Sequence, residues 1–138
     1  MNIKTLLIVL SFITCNSYSQ VIKTIDKLDA IHQKCLDNPE KNMSNCTIEY
    51  YNKLDSLLNV VYKKIRIKLS VAEQKDLKTK QLAWLKKRDL NFKLIEKETK
   101  ELFEGDNSSE EYRMTCAHRE SILVKKRIIE LDKTYLSK

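Results

Sequence analysis

Apolar residues recur at three- and four-residue steps along most of the chain, and that period predicts helices. Residues 21–36 place Ile22, Ile25, Leu28 and Cys35 or Leu36 on one face, a short first helix. Asp37-Asn38-Pro39 ends it, because proline cannot continue the hydrogen-bond ladder. Ser44 and Thr47 are candidate caps for a second helix. Its stripe runs Tyr51, Asp55, Leu58, Tyr62, Ile65, Leu69, widened by Leu54, Leu57 and Val61. Ser70-Val-Ala-Glu73 reads as a capping box, so helix two ends near Leu69 and helix three starts at Val71. Helix three is expected to run to Glu104, with Gly105 in the left-handed position after it. Ser108-Ser-Glu-Glu111 reads as a second capping box. Helix four then carries Met114, Ala117, Ser121, Val124, Ile128, Leu131 and Tyr135, an unbroken seam for a partner helix. The pattern predicts an all-α antiparallel four-helix bundle, with three long helices and one short.

The first residues follow another logic. Lys4 is a positive start, Leu6 to Ile13 is almost unbroken apolar sequence, and Ser17-Tyr18-Ser19 sets small residues before a cut. This predicts a signal peptide at 1–19 and a single helical domain at 20–138, exported to a periplasm or secreted. The alternative is a lipoprotein anchored through Cys15. One Gly and one Pro in 138 residues exclude a turn-rich β-sandwich or barrel. The chain carries 26 Lys and Arg against 19 Asp and Glu, +7, which falls to +6 when Lys4 leaves. The basic runs are Lys63-Lys64, Lys86-Lys87-Arg88 and Lys125-Lys126-Arg127. Such faces attract anionic glycan or lipid, or simply solvate a helix surface. Export argues against a nucleic-acid partner, and a monomer is expected.

Helices two and three share a very short link, so they should pack antiparallel. Counting outward from that turn, Asp55 lies opposite Arg88, Asn59 opposite Trp84, and Tyr62 opposite Gln81. Each trio shares one helix face. The expectation is an Asp55–Arg88 ion pair with amide, phenol and indole groups around it. Such a cluster is either a ligand cleft or a satisfied polar layer that sets helix register.

The joint pattern resembles a known family. Asp55-x-x-Leu58-Asn59-x-x-Tyr62, then Gln81-x-x-Trp84-Leu-x-x-Arg88-Asp89, is similar to the lysozyme-inhibitor LprI-like N-terminal domain. Met43-Ser-Asn-Cys46, an earlier Cys35 and a later Cys116 match as well, so the resemblance covers about residues 35–131. Members are small exported bacterial helical proteins. The resemblance implies an envelope protein-binding domain that inhibits lysozyme. Lys86, Lys87 and the Gly105 loop are candidate partner contacts, the lysines because exposed cations could pair with the two carboxylates of a lysozyme cleft. The alternative is a structural or accessory envelope protein that binds anionic glycan or lipid. The chain departs from the family at Phe92, where a Cys is usual. It also departs at Ser121 and Val124, and its Gly-rich stretch shrinks to Gly105.

Without Cys15, three cysteines remain, an odd number for an exported chain. An up-down bundle gathers Cys35, Cys46, Phe92 and Cys116 at one end. Cys35–Cys46 is the first choice of pairing, closing the loop around Pro39 and leaving Cys116 unpaired. Cys46–Cys116 is the second. Catalytic signals are missing. One Gly forms no phosphate loop, and there is no Gly-x-Ser-x-Gly elbow. His32 and His118 sit in no metal spacing, and Cys116-Ala-His118 alone is not a zinc site. The expectation is no enzyme, no cofactor and no metal.

Overall fold

The computed structural model describes residues 19–137. It contains α1 (Gln20–Leu36), α2 (Met43–Arg66), α3 (Val71–Leu102) and α4 (Glu110–Tyr135). No strand occurs among the described residues. The predicted leader, with Cys15, lies outside them except for Ser19. Ser19 caps α1, its hydroxyl accepting from the Val21 and Ile22 amides at 3.1 and 3.4 Å. The same hydroxyl donates to the buried carboxylate of Asp132 at 2.7 Å, tying the start of α1 to the end of α4.

The helix ends follow from local chemistry. Asn42 caps α2, not Ser44 or Thr47, because its side chain reaches the Asn45 amide at 2.9 Å. Ser44 and Thr47 fall inside the first turns, buried at 1% and 2% exposure. The Ser70–Glu73 capping box forms in both directions. The second expected box does not. Ser109 caps α4 by accepting from Tyr112, while Ser108 turns back to donate to Asp106. Asp106 answers both Ser108 donors and is thereby occupied in the loop.

Helix α3 stops at Leu102, before Glu104. Gly105 N–H donates to Lys100 O at 2.8 Å and Glu104 N–H to Glu101 O at 3.3 Å. That is a Schellman closure with Glu104, φ 54, in the left-handed position and Gly105, φ 92, one residue later. The sequence places glycine one residue too late for the tightest site, so a glutamate carries the strain.

Successive helices run antiparallel, but the closest pair is not a sequential one. α2 packs most tightly on α4, and α3 keeps its main contact with α4 while standing off from α2. The starts of α2 and α4 meet, with Asn42 Nδ2 donating to Glu110 Oε2 at 2.6 Å, so these two helices run parallel. Short buried side chains permit the approach: Ser44 on α2, Ala117, Ser121 and Val124 on α4. Ser44 Oγ has no hydrogen-bond partner among the described residues. A hydroxyl so placed costs about 1–3 kcal/mol, so size rather than polarity suits serine there.

The core joins Val21 and Ile25 of α1, Leu54, Leu58, Val61 and Ile65 of α2, and Val124, Ile128 and Leu131 of α4. α3 adds Leu77 to the fully buried set and packs half-buried Trp84 and Phe92 against it. Each such side chain contributes ~1.5–3 kcal/mol on burial. Cys35 and Cys46 are bonded, with Cα atoms 5.8 Å apart, and Cys116 is a free, buried thiol. The bridge pins α1 to α2 around Pro39, a loop closure worth ~2–4 kcal/mol.

Glu104→Gly is expected to raise stability in urea unfolding by about 0.5–1 kcal/mol, because it removes the left-handed strain. Gly105→Ala is expected to lower it by about 1 kcal/mol through φ alone, since no atom lies within 4 Å of an added Cβ. A loss in the first variant contradicts the assignment.

Candidate functional site

α3 is a long rod with only Leu77, Gln81, Ile95 and Thr99 buried. Because it leans on α4 and away from α2, it leaves a groove on each flank. Arg88 stands on the ridge between them and lines both.

The flank toward α2 is a cleft of about 250 Å³ holding Asp55, Asn59, Tyr62, Gln81 and Arg88. The structure therefore brings five of the expected residues to one place, but not in the expected pairs. Arg88 Nη1 lies 3.7 Å from Asp55 Oδ1. Its tighter bonds go to Asp89, from Nε at 3.0 Å and Nη2 at 2.8 Å. Asn59 does not meet Trp84; its amide donates to the Asp55 carbonyl of its own helix at 3.0 Å. Gln81 does not bond Tyr62. Its Oε1 accepts two bonds from Arg127 of α4, at 3.1 and 3.0 Å. Trp84 faces α4 and not α2. The cause is the offset of α3: a face counted against α2 alone is shared between α2 and α4.

The flank toward α4 is a groove of about 190 Å³, lined by Trp84, Lys87, Arg88 and Asn91 from α3 and by Leu123, Lys126, Arg127 and Glu130 from α4, four cations against one carboxylate. Arg127 is only 7% exposed. Its fork is filled by Gln81 on one side and by Glu130 at 2.9 Å on the other. Trp84 has two guanidinium neighbours, Arg88 at 5.7 Å and Arg127 at 5.6 Å from the ring centre. Arg88 also lies over Phe92 at 5.4 Å. Each such contact is worth about 0.5–2 kcal/mol, more when dry. Phe92, where a cysteine was expected by resemblance, packs edge-on against Tyr51 at 6.1 Å between ring centres.

Charge around Arg88 is sorted accordingly. Burial, with Glu96 adding to it, pushes the Glu120 carboxyl up, and Arg88 opposes the shift. Burial and then Asp55 push the Tyr51 phenol up, again against Arg88. Arg88 thus neutralises a small acidic neighbourhood. Lys87 and Lys126 differ: neither has a carboxylate partner among the described residues. Lys86 is exposed but lines neither groove. Gly105 lies beyond the far end of α3, on the order of 20 Å from Lys87 along the axis.

A second polar cluster links α1, α2 and α4. Asp29 accepts from Tyr50 Oη and from Lys125 Nζ, each at 2.5 Å. His32 stacks on Tyr50 at 4.3 Å, and burial, then His118, hold its pKa below the usual value. No three His, Cys, Asp or Glu side chains gather to hold a metal among the described residues.

Arg127 and Lys126 were missed as site residues, although a signal existed. Arg127 lies three residues after Val124 and four before Leu131, at the edge of the helix-four seam, so a buried arginine needing partners was implied.

A family model described as lysozyme inhibitor LprI matches residues 35–131. That span begins at the first bridged cysteine and contains all seven motif residues. No curated protein and no solved structure matches the chain.

Arg127→Met is expected to lower stability by about 1–3 kcal/mol, because the Gln81 oxygen is left buried without a donor. The emission of Trp84, the one tryptophan, should shift as well. Adding Gln81→Leu should recover part of the loss. Unchanged stability and emission in the single variant would contradict the network.

Proposed function

The chain belongs to the lysozyme inhibitor LprI family, and from that premise we propose that it is an exported, non-catalytic protein-binding domain that inhibits lysozyme by covering its cleft. Family membership is the observation that carries this reading. A lysozyme cleft works through two carboxyl groups, so an inhibitor needs cations to set against them or bulk to exclude substrate. The α3–α4 groove offers cations whose charge is not already spent, Lys87 and Lys126.

The remaining motif residues support the site from behind. Asp55, Asp89 and Trp84 hold Arg88, and Gln81 holds Arg127, which fixes how α3 is rotated on α4. Lys87 and Lys126 both line the resulting groove. Lys86 and Gly105 lie outside the groove and would touch only a partner with a broad footprint. No described helix is long and apolar enough to cross a membrane.

The chain's charge of +7 bears on mechanism. Against a basic lysozyme, long-range forces oppose approach, so the contacts must act at short range. Inhibition should then hold or strengthen as salt rises. Binding to anionic glycan or lipid would instead fall steeply with salt.

The test is a titration of lysozyme activity with purified residues 20–138, bridge intact. Stoichiometric loss of activity is expected, weakened about tenfold or more by Lys87→Glu with Lys126→Glu. No inhibition at excess protein across unrelated lysozyme types would overturn the reading.

A further inference from the structure

The basic groove does not end at Asn91. Asn91 and Leu123 also line a second hollow of about 320 Å³, formed with Leu94 and Ile95 of α3 and Ile122 of α4. The two hollows form one trough between antiparallel stripes, 87, 91, 94 and 98 on α3 and 119, 123, 126 and 130 on α4, each stepping by three or four residues. One end is basic. The middle is apolar, and the far end is closed by the Arg119–Glu98 ion pair, with Arg119 also reaching Thr99.

This trough has unspent capacity along its length. Lys87 and Lys126 lack carboxylate partners, as described above. Asn91 uses its amide nitrogen on the Lys87 carbonyl, at 2.9 Å, and its side-chain oxygen has no donor among the described residues. Leu94 is 50% exposed and Ile122 54%, apolar side chains on opposite walls facing water. Lys87 and Leu94 are seven residues apart, about 10 Å along the helix.

We propose that the trough binds a polypeptide segment of a partner protein. The segment carries an Asp or Glu side chain set between Lys87 and Lys126 and apolar side chains about 10 Å further on, over Leu94 and Ile122. The Asn91 oxygen takes a backbone N–H of that segment. Charge complementarity chooses the carboxylate end, and removing Leu94 and Ile122 from water supplies the drive at the other. The inference rests on the chain being a protein-binding domain, but not on lysozyme being the partner.

The test is selection of a random-peptide display library on the folded, bridged protein, with a parallel selection on Lys87→Gln/Lys126→Gln. Enriched peptides should pair an acidic residue with spaced apolar residues. A synthesised peptide of that consensus should bind the double variant at least about tenfold more weakly. Leu94→Ser should weaken it comparably, and circular dichroism should show all variants folded. Absence of any consensus overturns the inference, as does a consensus that lacks acid or that binds the double variant equally. Lysozyme titration remains a separate readout, so failure of either reading is recognisable.

Discussion

The close parallel approach of α2 and α4 governs everything else in this bundle. In a square four-helix arrangement these helices would be diagonal neighbours, kept apart by the side chains between them. Here Ser44, Ala117, Ser121 and Val124 are short enough to let the backbones come together. Close packing of Leu54, Leu58, Ile128 and Leu131 around that contact then completes the core. The price is the Ser44 hydroxyl, unpartnered among the described residues. α1 packs on both members of that pair, whereas α3 rides mainly on α4.

From that displacement come the two flanking grooves. A helix packed on one neighbour must anchor itself with few contacts, and α3 does so with long side chains. Gln81 and Arg127 lock α3 to α4 in the dry layer, Trp84 lies beside both arginines, and Arg88 reaches across to Asp55. Buried polar groups of this kind specify geometry more than they add stability. The geometry they specify is a trough with Lys87 and Lys126 at one end, exposed Leu94 and Ile122 in the middle and the Arg119–Glu98 ion pair at the other end. The family match covers residues 35–131, and both walls of the trough fall within that span.

Much of the fold was legible in the residues because helix period and capping are local. The stripe from Ala117 to Leu131 is buried as its spacing implied, and the Ser70–Glu73 box opens α3 where it was expected. The Cys35–Cys46 pairing followed from a short loop between adjacent helix ends. What failed was long-range or finely positional. Asn42 outcompeted Ser44 because a cap is decided by one turn of register, and Glu104 took the left-handed site ahead of Gly105. The register of Asn59 on Trp84 and Tyr62 on Gln81 assumed that chain neighbours are packing neighbours. Small residues on α4, which decide otherwise, read in sequence only as ordinary seam positions. Residues 1–18, on which the expected leader and Cys15 fall, lie outside the described residues.

Native-state hydrogen exchange reads the displacement of α3 most directly. The amides of α2 from Leu54 to Ile65 and of α4 from Ala117 to Leu131 should exchange only through global unfolding. Those of α3 beyond Leu85 should open with a distinctly lower free energy, since only Ile95 and Thr99 are buried there. Protection of that stretch equal to that of α4 would contradict the account, because it would place α3 within the core and not beside it.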